Sequence, residues 1–592
     1  MNGFESRVQL KAYLSKKRYR FERITVLSSK AILVLISAVF PLKTLAQSEV
    51  ELPDDALDRI EKTAPRQNFL TPKIPQPKPE PKLQIPEVTQ TSECLDRNGI
   101  QQPQETFYVR DVEVSGNTVL QSAIEAEIAR FKRHFVTLED LVCLRSRLSE
   151  IYLDNGYITS GAFIPNNQDL SDGVVTIQVV EGDVSDIAIR GLKRLRSSYV
   201  RSRLESATDK PLNRSKLESA LQLLLQDPLI DRVDAELTAS NTAGENILLL
   251  DIQEADAFAT ILGADNYRSS SIGESQLAIA INHNNILGFG DRLNGNYSLT
   301  AGLNLYQLAY TVPWNSRDGT VGISYDNSDS EIVEREFEDV DITSQTESFA
   351  VGIRQPVIRS SNAELALGLN LDVRRRQTFL DGDPFPFTIG LTDGISNVSV
   401  LRFAQEWVNR KPTRVFAARS QFSFGLDAFD ATVNNNGVDG RFLAWQGQFQ
   451  WVQQLSSRIL LVTRLGTQIT LDSLLSLEKF SLGGINTIRG YAENRLVTDN
   501  GAFTSLELRI PVSSNPQTFQ LTPFAELGTG WNNEEPNADP TTLASVGLGL
   551  RWSLGSKLET RIDYGIPLIN TEDEADGLQD SGLHWFLNYQ LF

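Results

Sequence analysis

From Phe258 to its last residue, the chain consists of short runs in which apolar residues recur at every second position. In "FLAWQGQFQW", for example, Leu443, Trp445, Phe449 and Trp451 alternate with small and polar residues. About sixteen runs of this kind, near the ten-residue length of membrane strands, are separated by turn residues. Their approximate spans are 257–267, 274–285, 290–301, 303–313, 317–327, 345–356, 363–376, 396–408, 413–427, 440–454, 457–472, 501–512, 517–531, 541–554, 556–566 and 582–592. Because a strand in lipid must pair all of its backbone groups, the pattern predicts a closed transmembrane β-barrel of about 16 antiparallel strands over residues 257–592.

The connections between these runs sort by length. After even-numbered runs they are short, as in "NSR", "RKP" and "SSNP". After odd-numbered runs they are mostly long, at 328–344, 377–395, 428–439, 473–500, 532–540 and 567–581. Outer-membrane barrels have short turns on one side and long loops on the other, whereas a soluble all-β sandwich or propeller would not sort its loops in this way. A barrel of sixteen strands leaves an aqueous channel, which is wide enough for an extended chain but not for a folded domain.

The N-terminus has the layout of a secretory signal peptide over residues 1–46. Basic residues precede the apolar run "AILVLISAVFPL", and small residues at Thr44 and Ala46 mark a cleavage site. The alternative is a membrane anchor, but a run of this length is short for a span of about 20 residues. We therefore expect an exported protein.

Residues 47–64 form a short segment in which "PDDALDRIEK" (Pro53–Lys62) predicts a helix, with Asp54 as its N-cap. A proline-rich linker follows at 65–104, with seven prolines between residues 65 and 86. Such a composition predicts an extended, semi-rigid spacer.

An internal repeat comes next, in which "VRDVEVSGN" and "VSDIAIRGL" share the pattern V-x-D-(V/I)-x-(V/I)-x-G. Each copy opens a segment with the order strand, helix, helix, strand, strand, and each closes on a strand that ends in glutamate. The repeat predicts two small α+β modules in tandem, at 105–182 and 183–256.

Composition restricts the chemistry. A formal net charge of −19 argues against nucleic acid as a partner, because phosphate contacts need a basic surface. Three histidines and two cysteines leave little material for a metal site, and no P-loop, G-x-S-x-G or H-x-x-H pattern occurs. The sequence therefore predicts no catalytic residues, no cofactor and no metal, and a protein that is not an enzyme. In an exported protein, Cys94 and Cys143 are expected to form a disulfide, the alternative being two free buried thiols.

The stretch "LGGINTIRGY" places Gly483, Gly484 and Arg489 in the long connection between the eleventh and twelfth runs. The tetrad Ile488-Arg489-Gly490-Tyr491 resembles the loop-6 signature of the two-partner secretion transporters of the outer membrane, the haemolysin-activator/haemagglutinin-secretion type within the superfamily of POTRA (polypeptide-transport-associated) domains plus barrel. The modules resemble POTRA domains, and "YLDNGYITSGAFIPNNQDLSDGVVTIQVVEG" is similar to the first POTRA domain of that family. The resemblance covers essentially the whole mature chain.

The resemblance implies a site. In the family, loop 6 folds back into the barrel and its arginine pairs with an acid on the inner wall, in an F-x-D-x-G-like motif on strand thirteen. Here "PFAELGTGW" provides Phe524, Glu526 and Gly528, so that a glutamate stands where the family usually has aspartate. A charge-assisted Arg489–Glu526 pair, capable of bidentate geometry, would anchor a glycine-rich loop. The alternative is an exposed arginine at the tip of a hairpin, which would contribute little.

The resemblance also implies a function: an outer-membrane pore that recognises an unfolded partner exoprotein in the periplasm through its POTRA domains and moves it to the cell surface without ATP. Strand addition at an exposed sheet edge, at Ser160–Ile164, is the expected mode of capture. The expected partners are this exoprotein, outer-membrane lipid and the barrel-assembly machinery, which would receive the C-terminal strand ending in Phe592, and the expected state is a monomer. The alternatives are an outer-membrane protein insertase or assembly factor and a passive porin. The family has an N-terminal helix that plugs the pore at rest, and the resemblance implies that the helix at Pro53–Lys62 would have this role here.

Overall fold

The computed structural model describes residues 82–84, 106–337, 340–388, 391–434, 438–571 and 577–592. The predicted signal peptide, the 47–64 segment with its plug helix, Cys94 and most of the linker lie outside these residues. Within the described part of the chain, no helix is both long and apolar enough to cross a lipid bilayer.

Two α+β modules precede the barrel. In chain order their elements are β1 (Lys82–Gln84), β2 (Phe107–Val109), β3 (Asp111–Ser115), α1 (Gln121–Ile128), β4 (His134–Val136), α2 (Leu138–Asp154), β5 (Gly161–Phe163), β6 (Val174–Val180), β7 (Asp183–Arg190), α3 (Ser197–Leu204), α4 (Arg214–Gln226), β8 (Ile230–Ala239) and β9 (Glu245–Glu254). The first sheet has the order β3-β6-β5, and the second has the order β1-β8-β9-β7. In both modules the opening strand runs parallel to the last strand, and the other hairpin strand runs antiparallel to it. The linker strand β1 adds to the edge of the second sheet, parallel to β8.

The repeated sequence pattern has a structural cause. Gly116 and Gly191 both have positive φ, +87° and +85°, and a Cβ at either position would stand 2.3 or 2.2 Å from a backbone oxygen of the last strand of its module. Only glycine allows the chain to turn this close to the sheet. The glutamate at the end of the last strand of each module accepts from backbone amides just after this glycine: Glu181 from Thr118 and Val119, and Glu254 from residues 193–195.

Glu181 is buried, with 1% of its surface exposed, and also accepts from the Tyr152 hydroxyl at 2.9 Å. Burial acts to raise the pKa of this carboxyl, but the hydrogen bonds from Thr118, Tyr152 and Val119 outweigh it and hold the pKa below its ordinary value of 4.5. A carboxyl whose pKa is lowered by folding stabilises the fold fully above that ordinary value, and the stabilisation is lost as the pH falls through the lowered pKa.

We therefore expect the amides of Thr118 and Val119 to lose protection when the pH falls from neutral to about 3, because the protonated carboxyl is a weaker acceptor. Hydrogen exchange of the full-length protein, expressed as protection factors at each pH, measures this. In Glu181→Gln the protection should be low at both pH values. Glu236→Gln, which changes an exposed glutamate of β8, should behave as the unaltered protein does. Equal pH dependence in the unaltered protein and Glu181→Gln would contradict the prediction.

Sixteen long strands of the described residues form a closed antiparallel barrel. They are β10 (Phe258–Asp265), β11 (Gln276–Asn284), β12 (Arg292–Leu299), β13 (Leu303–Pro313), β14 (Thr320–Glu331), β15 (Ile342–Arg359), β16 (Ala363–Leu380) with its two-residue companion β17 (Asp383–Pro384), β18 (Ile395–Lys411), β19 (Arg414–Gly425), β20 (Leu443–Gln454), β21 (Leu460–Thr470), then β24 (Asn500–Pro511), β25 (Phe519–Trp531), β26 (Thr542–Leu554), β27 (Leu558–Pro567) and β28 (Leu583–Gln590), with the short hairpin β22 (Phe480–Leu482) and β23 (Leu496–Thr498) lying between β21 and β24. Pairing of β10 with β28 closes the ring. The predicted fold class, a barrel of sixteen strands behind two α+β modules, is confirmed.

Side chains alternate as the sequence predicts. Phe349, Val351 and Ile353 of β15 are 49%, 38% and 48% exposed on the outer face, where lipid replaces water. Strands β15, β16 and β18 extend beyond the predicted runs, to 18, 18 and 17 residues. The additional residues, such as Gln377 and Thr378 at the end of β16 and Asn409 and Arg410 at the end of β18, are not confined to the apolar alternation from which the runs were counted.

The end of the chain resolves a conflict in the sequence pattern, where Leu587, Tyr589 and Leu591 alternate out of phase with Phe592. Strand β28 ends at Gln590, and the Leu591 amide still donates to the Thr260 carbonyl at 2.8 Å. Phe592 lies beyond the paired residues and is 72% exposed. The terminal aromatic residue is therefore outside the alternation of the strand.

The second module is attached to the periplasmic turns of the barrel through α3. The Arg196 amide donates to the Gly288 carbonyl at 3.0 Å, and the Arg196 guanidinium lies 3.7 Å from the ring centroid of Phe289. About two helical turns later, Arg203 pairs with Asp318 in the turn between β13 and β14, and Arg359 of β15 pairs with the same carboxylate. These contacts hold the module against the mouth of the barrel.

Candidate functional site

The long connection between β21 and β24, residues 471–499, contains the predicted signature; we call it loop 6. Its β22–β23 hairpin packs with Ile488, Tyr491 and the wall residues Phe503 and Leu543 in one buried apolar cluster. Glu526 and Phe524, which alternate with the exposed Leu527, identify the inner face of β25. Loop 6 therefore lies inside the barrel against its inner wall.

Arg489 is the largest fully buried side chain of the described residues, with 0% of its surface exposed. Its Nε and Nη2 both donate to Oε1 of Glu526, at 3.0 and 2.6 Å, and its backbone amide donates to Oε2 at 2.6 Å. The sequence suggested a pair capable of bidentate geometry; in the structure one carboxylate oxygen of Glu526 accepts from the guanidinium and the other accepts from the backbone amide of Arg489. The longer glutamate side chain thus fixes both the side chain and the backbone of Arg489.

Two further acids complete the site, and sequence reasoning missed both. Arg489 Nη1 donates to Glu507 Oε2 at 2.9 Å and to Asp563 Oδ1 at 3.0 Å. Arg561 bridges the same two carboxylates, at 2.7 and 2.9 Å, and Arg464 lies 3.4 Å from Glu526. Arg509 also donates to Glu507, at 2.9 Å, so every acid of the cluster is paired with at least one arginine, as is required where charges are removed from water. The signal was present in the charged residues at inward positions of "LELRI" and "TRIDY".

Phe524 has a defined place in this arrangement. Its ring centroid lies 3.5 Å from the Arg489 Cζ, and its side chain is buried. A guanidinium over an aromatic face is attracted by the ring quadrupole, more strongly when desolvated. The aromatic position of the motif covers the face of the cation that carboxylates cannot reach.

Glycines permit the close approach of loop and wall. Gly490 has φ +95°, and its amide donates to Nε2 of His584 at 3.2 Å. Gly565 of β27 faces it, and a Cβ at Gly565 would stand 2.6 Å from the Gly490 nitrogen. A Cβ at Gly528 would meet Ile488 at 3.2 Å. Gly565 was not found from the sequence, because nothing in its own run marks it.

The remaining signature residues are also placed. The Tyr491 hydroxyl lies 2.9 Å from the carbonyl oxygens of both Ala544 and Ile569. Gly483 and Gly484 have φ of +106° and +83° where the segment 484–491, which we call the tip of loop 6, begins, and the Gly484 amide donates to the Tyr491 carbonyl at 3.0 Å. The tip is thus closed by its own backbone and is bound through Tyr491 to β26 and to the segment that follows β27.

Outside loop 6, Cys143 is disulfide-bonded. Its predicted partner Cys94 lies outside the described residues, so the pair Cys94–Cys143 stays a prediction. Over the described ranges, no group of three or more histidine, cysteine, aspartate or glutamate residues is arranged to hold a metal ion. The arrangement around Arg489 consists of compensated charges that hold a loop in place.

Comparison with known proteins gives two family matches. Residues 244–552 match the family described as haemolysin secretion/activation protein ShlB/FhaC/HecB. Residues 107–182 match the ShlB-type POTRA domain.

Individual relatives agree with these matches. The chain is 23% identical to the heme/hemopexin transporter protein HuxB of Haemophilus influenzae over 479 residues, covering 77% of this chain and 83% of that protein. It is 24% identical to the outer membrane transporter CdiB of Escherichia coli over 481 residues, covering 78% and 79%. The solved structure of CdiB from Escherichia coli superposes with a TM-score of 0.62 at 21% identity, covering 90% of this chain and 95% of that one, which shows a shared fold. The outer membrane protein assembly factor BamA of Nitratidesulfovibrio vulgaris is 25% identical over 472 residues, which are 75% of this chain but 56% of that protein.

Proposed function

Because the chain belongs to the haemolysin secretion/activation (ShlB/FhaC/HecB) family of two-partner secretion transporters, we propose that it captures one unfolded exoprotein in the periplasm and passes it through the barrel to the cell surface without ATP. The barrel lies in the outer membrane and the POTRA domains lie in the periplasm. HuxB is named as a transporter for heme/hemopexin and HpmB of Proteus mirabilis as a hemolysin transporter. By analogy, the cargo of this chain is a secreted protein.

The observation that carries this proposal is loop 6, held inside a closed barrel by a fully buried arginine with three acids from three wall strands. The family match and the POTRA modules in front of the barrel separate this chain from a passive porin. A loop that must stay docked at rest and be moved by a passing chain needs a strong, specific and reversible attachment. Buried ion pairs give specificity of position more than net stability, which suits such a role.

Capture is proposed at β5, the edge strand of the first sheet. The Ala162 amide points away from the neighbouring strand and donates to the Ser149 hydroxyl of α2 at 2.9 Å. The hydroxyl thus takes the place of a missing backbone partner. An extended segment of the exoprotein would take over this amide and continue the sheet, while Phe163, 40% exposed, offers a side-chain contact.

Ala162→Pro is expected to weaken binding of an amino-terminal fragment of the exoprotein to the full-length transporter by roughly tenfold, because proline has no amide to donate and obstructs strand pairing. Ser149→Ala is the matched variant: it removes the internal acceptor but keeps the Ala162 amide, so binding should be unchanged or tighter. Fluorescence anisotropy with the labelled fragment measures both. Full-strength binding to Ala162→Pro would place capture elsewhere.

The overall function is tested by expressing the chain together with a candidate exoprotein, encoded beside it, in a host that lacks both. The exoprotein should appear in the medium only when both genes are present. It should stay in the periplasm when residues 106–182 are deleted. An exoprotein that reaches the medium without the transporter, or never with it, would exclude the pair.

The similarity to BamA supports one rival, insertion of other barrel proteins into the outer membrane. The chain spans 56% of that assembly factor but about four fifths of the transporters, which favours secretion. Depletion of the chain separates the two: an insertase is needed for the levels of several barrel proteins, whereas a dedicated transporter changes only the exoprotein in the medium.

A further inference from the structure

The first part of loop 6, residues 471–479, which we call the stem, carries a second buried ion-pair cluster, apart from the one around Arg489. Glu478 is 8% exposed, and both of its carboxylate oxygens accept from Arg402 Nη2, at 2.7 and 2.9 Å. Arg374 Nη1 donates to the same carboxylate at 3.4 Å and to the Leu477 carbonyl at 3.3 Å. Charge-assisted hydrogen bonds in a restricted space are the strong ones.

The barrel wall presents Arg402 for this contact. Its Nε donates to Asp372 at 2.6 Å, and its Nη1 donates to the Ser423 hydroxyl at 2.8 Å. Asp372 belongs to β16 and Ser423 to β19, the two neighbours of the strand that carries Arg402. These wall residues fix two sides of the Arg402 guanidinium, so its remaining side faces the position of Glu478 even when loop 6 is undocked. Such pre-arranged support is typical of a built binding position.

The two clusters lie on different arcs of the barrel and have opposite polarity. Arg489 binds acids of β24, β25 and β27, whereas Glu478 binds arginines of β16 and β18. Strand β20 lies between the arc β16–β19 and the arc that begins with Arg464 of β21. At the tip the loop supplies the cation and the wall supplies the acids. At the stem the loop supplies the acid and the wall supplies the cations. If the loop shifted along the wall, like charges of loop and wall would come together. The opposite signs of the loop charges at tip and stem therefore favour one docked position over others.

We propose that Glu478 is a second positioning residue of loop 6, which fixes the stem to β16 and β18 and keeps the loop across the interior of the barrel at rest. This inference rests on the proposed function for its purpose, but its geometry does not depend on an exoprotein. Leu474, Leu475 and Leu477 of the stem also pack with Val398 and Val400 of β18, so the ion pairs of Glu478 fix the position of a segment that has apolar contacts with the same arc. Loss of these ion pairs weakens the contact between the stem and the β16–β19 arc.

The test uses the full-length protein in outer membranes and two introduced cysteines as probes. Ser476 in the stem and Thr487 in the tip are 3% and 4% exposed. In Glu478→Gln, we expect Ser476→Cys to react with a polar maleimide about tenfold faster, because charged hydrogen bonds of the stem are lost. Thr487→Cys should stay as protected as before. A merely structural defect would expose both probes, whereas release of the stem exposes one.

Asp430→Asn is the matched control, since it removes an acid that pairs with Arg375, next to Arg374, but lies outside loop 6. If Glu478 acts through Arg402, the double variant Glu478→Gln/Arg402→Gln should label no faster than the faster of the two single variants. Should Glu478→Gln fail to assemble, Glu478→Asp keeps the charge with a shorter reach and should give intermediate labelling. Wild-type labelling of the stem in whichever variant assembles would overturn the proposal. Failure of secretion by the unaltered chain would instead contradict the proposed function and leave this result standing.

Discussion

Replacing Arg489 by alanine is expected to leave an assembled barrel in the outer membrane and to reduce the exoprotein in the medium by about a hundredfold. The substitution removes every hydrogen bond between the guanidinium and Glu526, Glu507 and Asp563. Breaking a buried, hydrogen-bonded ion pair costs roughly 3–5 kcal/mol, which shifts the equilibrium of the loop between docked and undocked states by about two to almost four orders of magnitude. Immunoblots of the medium measure secretion, and the change in gel mobility on heating measures barrel assembly.

A double variant separates anchoring from stability. Arg489→Ala leaves Glu526 buried with only Arg464, at 3.4 Å, as a cationic neighbour. Arg489→Ala/Glu526→Gln removes that uncompensated charge, so the unfolding temperature should recover while secretion stays low. Arg375→Ala removes an arginine of an exposed ion pair and should secrete normally. Full secretion by Arg489→Ala would mean that loop 6 is not held in place for transport by this residue.

The general plan of the molecule can be predicted from the sequence because its causes are local. Lipid on one face and water on the other force a period of two, and closure of the sheet leaves few alternatives once the runs are counted. The repeated glycine and glutamate of the modules are similarly local, since Gly116 and Glu181 act on residues within their own module. The resemblance of the tetrad at Ile488–Tyr491 then directs attention to Arg489 and Glu526.

The rest of the site depends on the stagger between strands. Alternation indicates that Glu507 and Asp563 face the interior, but not that both reach one arginine. They belong to β24 and β27, with two strands between them, so their heights in the barrel are related only through the register of each intervening pair. That register is set by the shear of the whole barrel, which is not visible in any single run. The partners of Glu478, on a distant arc, are hidden for the same reason.

The glycine of β27 provides the second large effect. A Cβ on Gly565 would lie 2.6 and 2.7 Å from the nitrogen and Cα of Gly490 and 2.8 Å from the Arg489 carbonyl carbon. These are backbone atoms of a loop that is held in place, so they cannot relieve the clash by changing rotamer as a side chain can. Overpacking of this kind costs about 1–3 kcal/mol. Gly565→Ala should therefore displace the tip from the wall and lower secretion about tenfold, although every charged side chain of the site remains.

Gly295→Ala is the matched control, because a Cβ on that strand glycine of β12 meets nothing closer than 4.0 Å. The same secretion assay compares the two, and the maleimide reactivity of Thr487→Cys should rise in Gly565→Ala alone. If Gly565→Ala secretes like Gly295→Ala, the charges hold loop 6 without close contact between the two backbones, and shape complementarity has no part in the anchor.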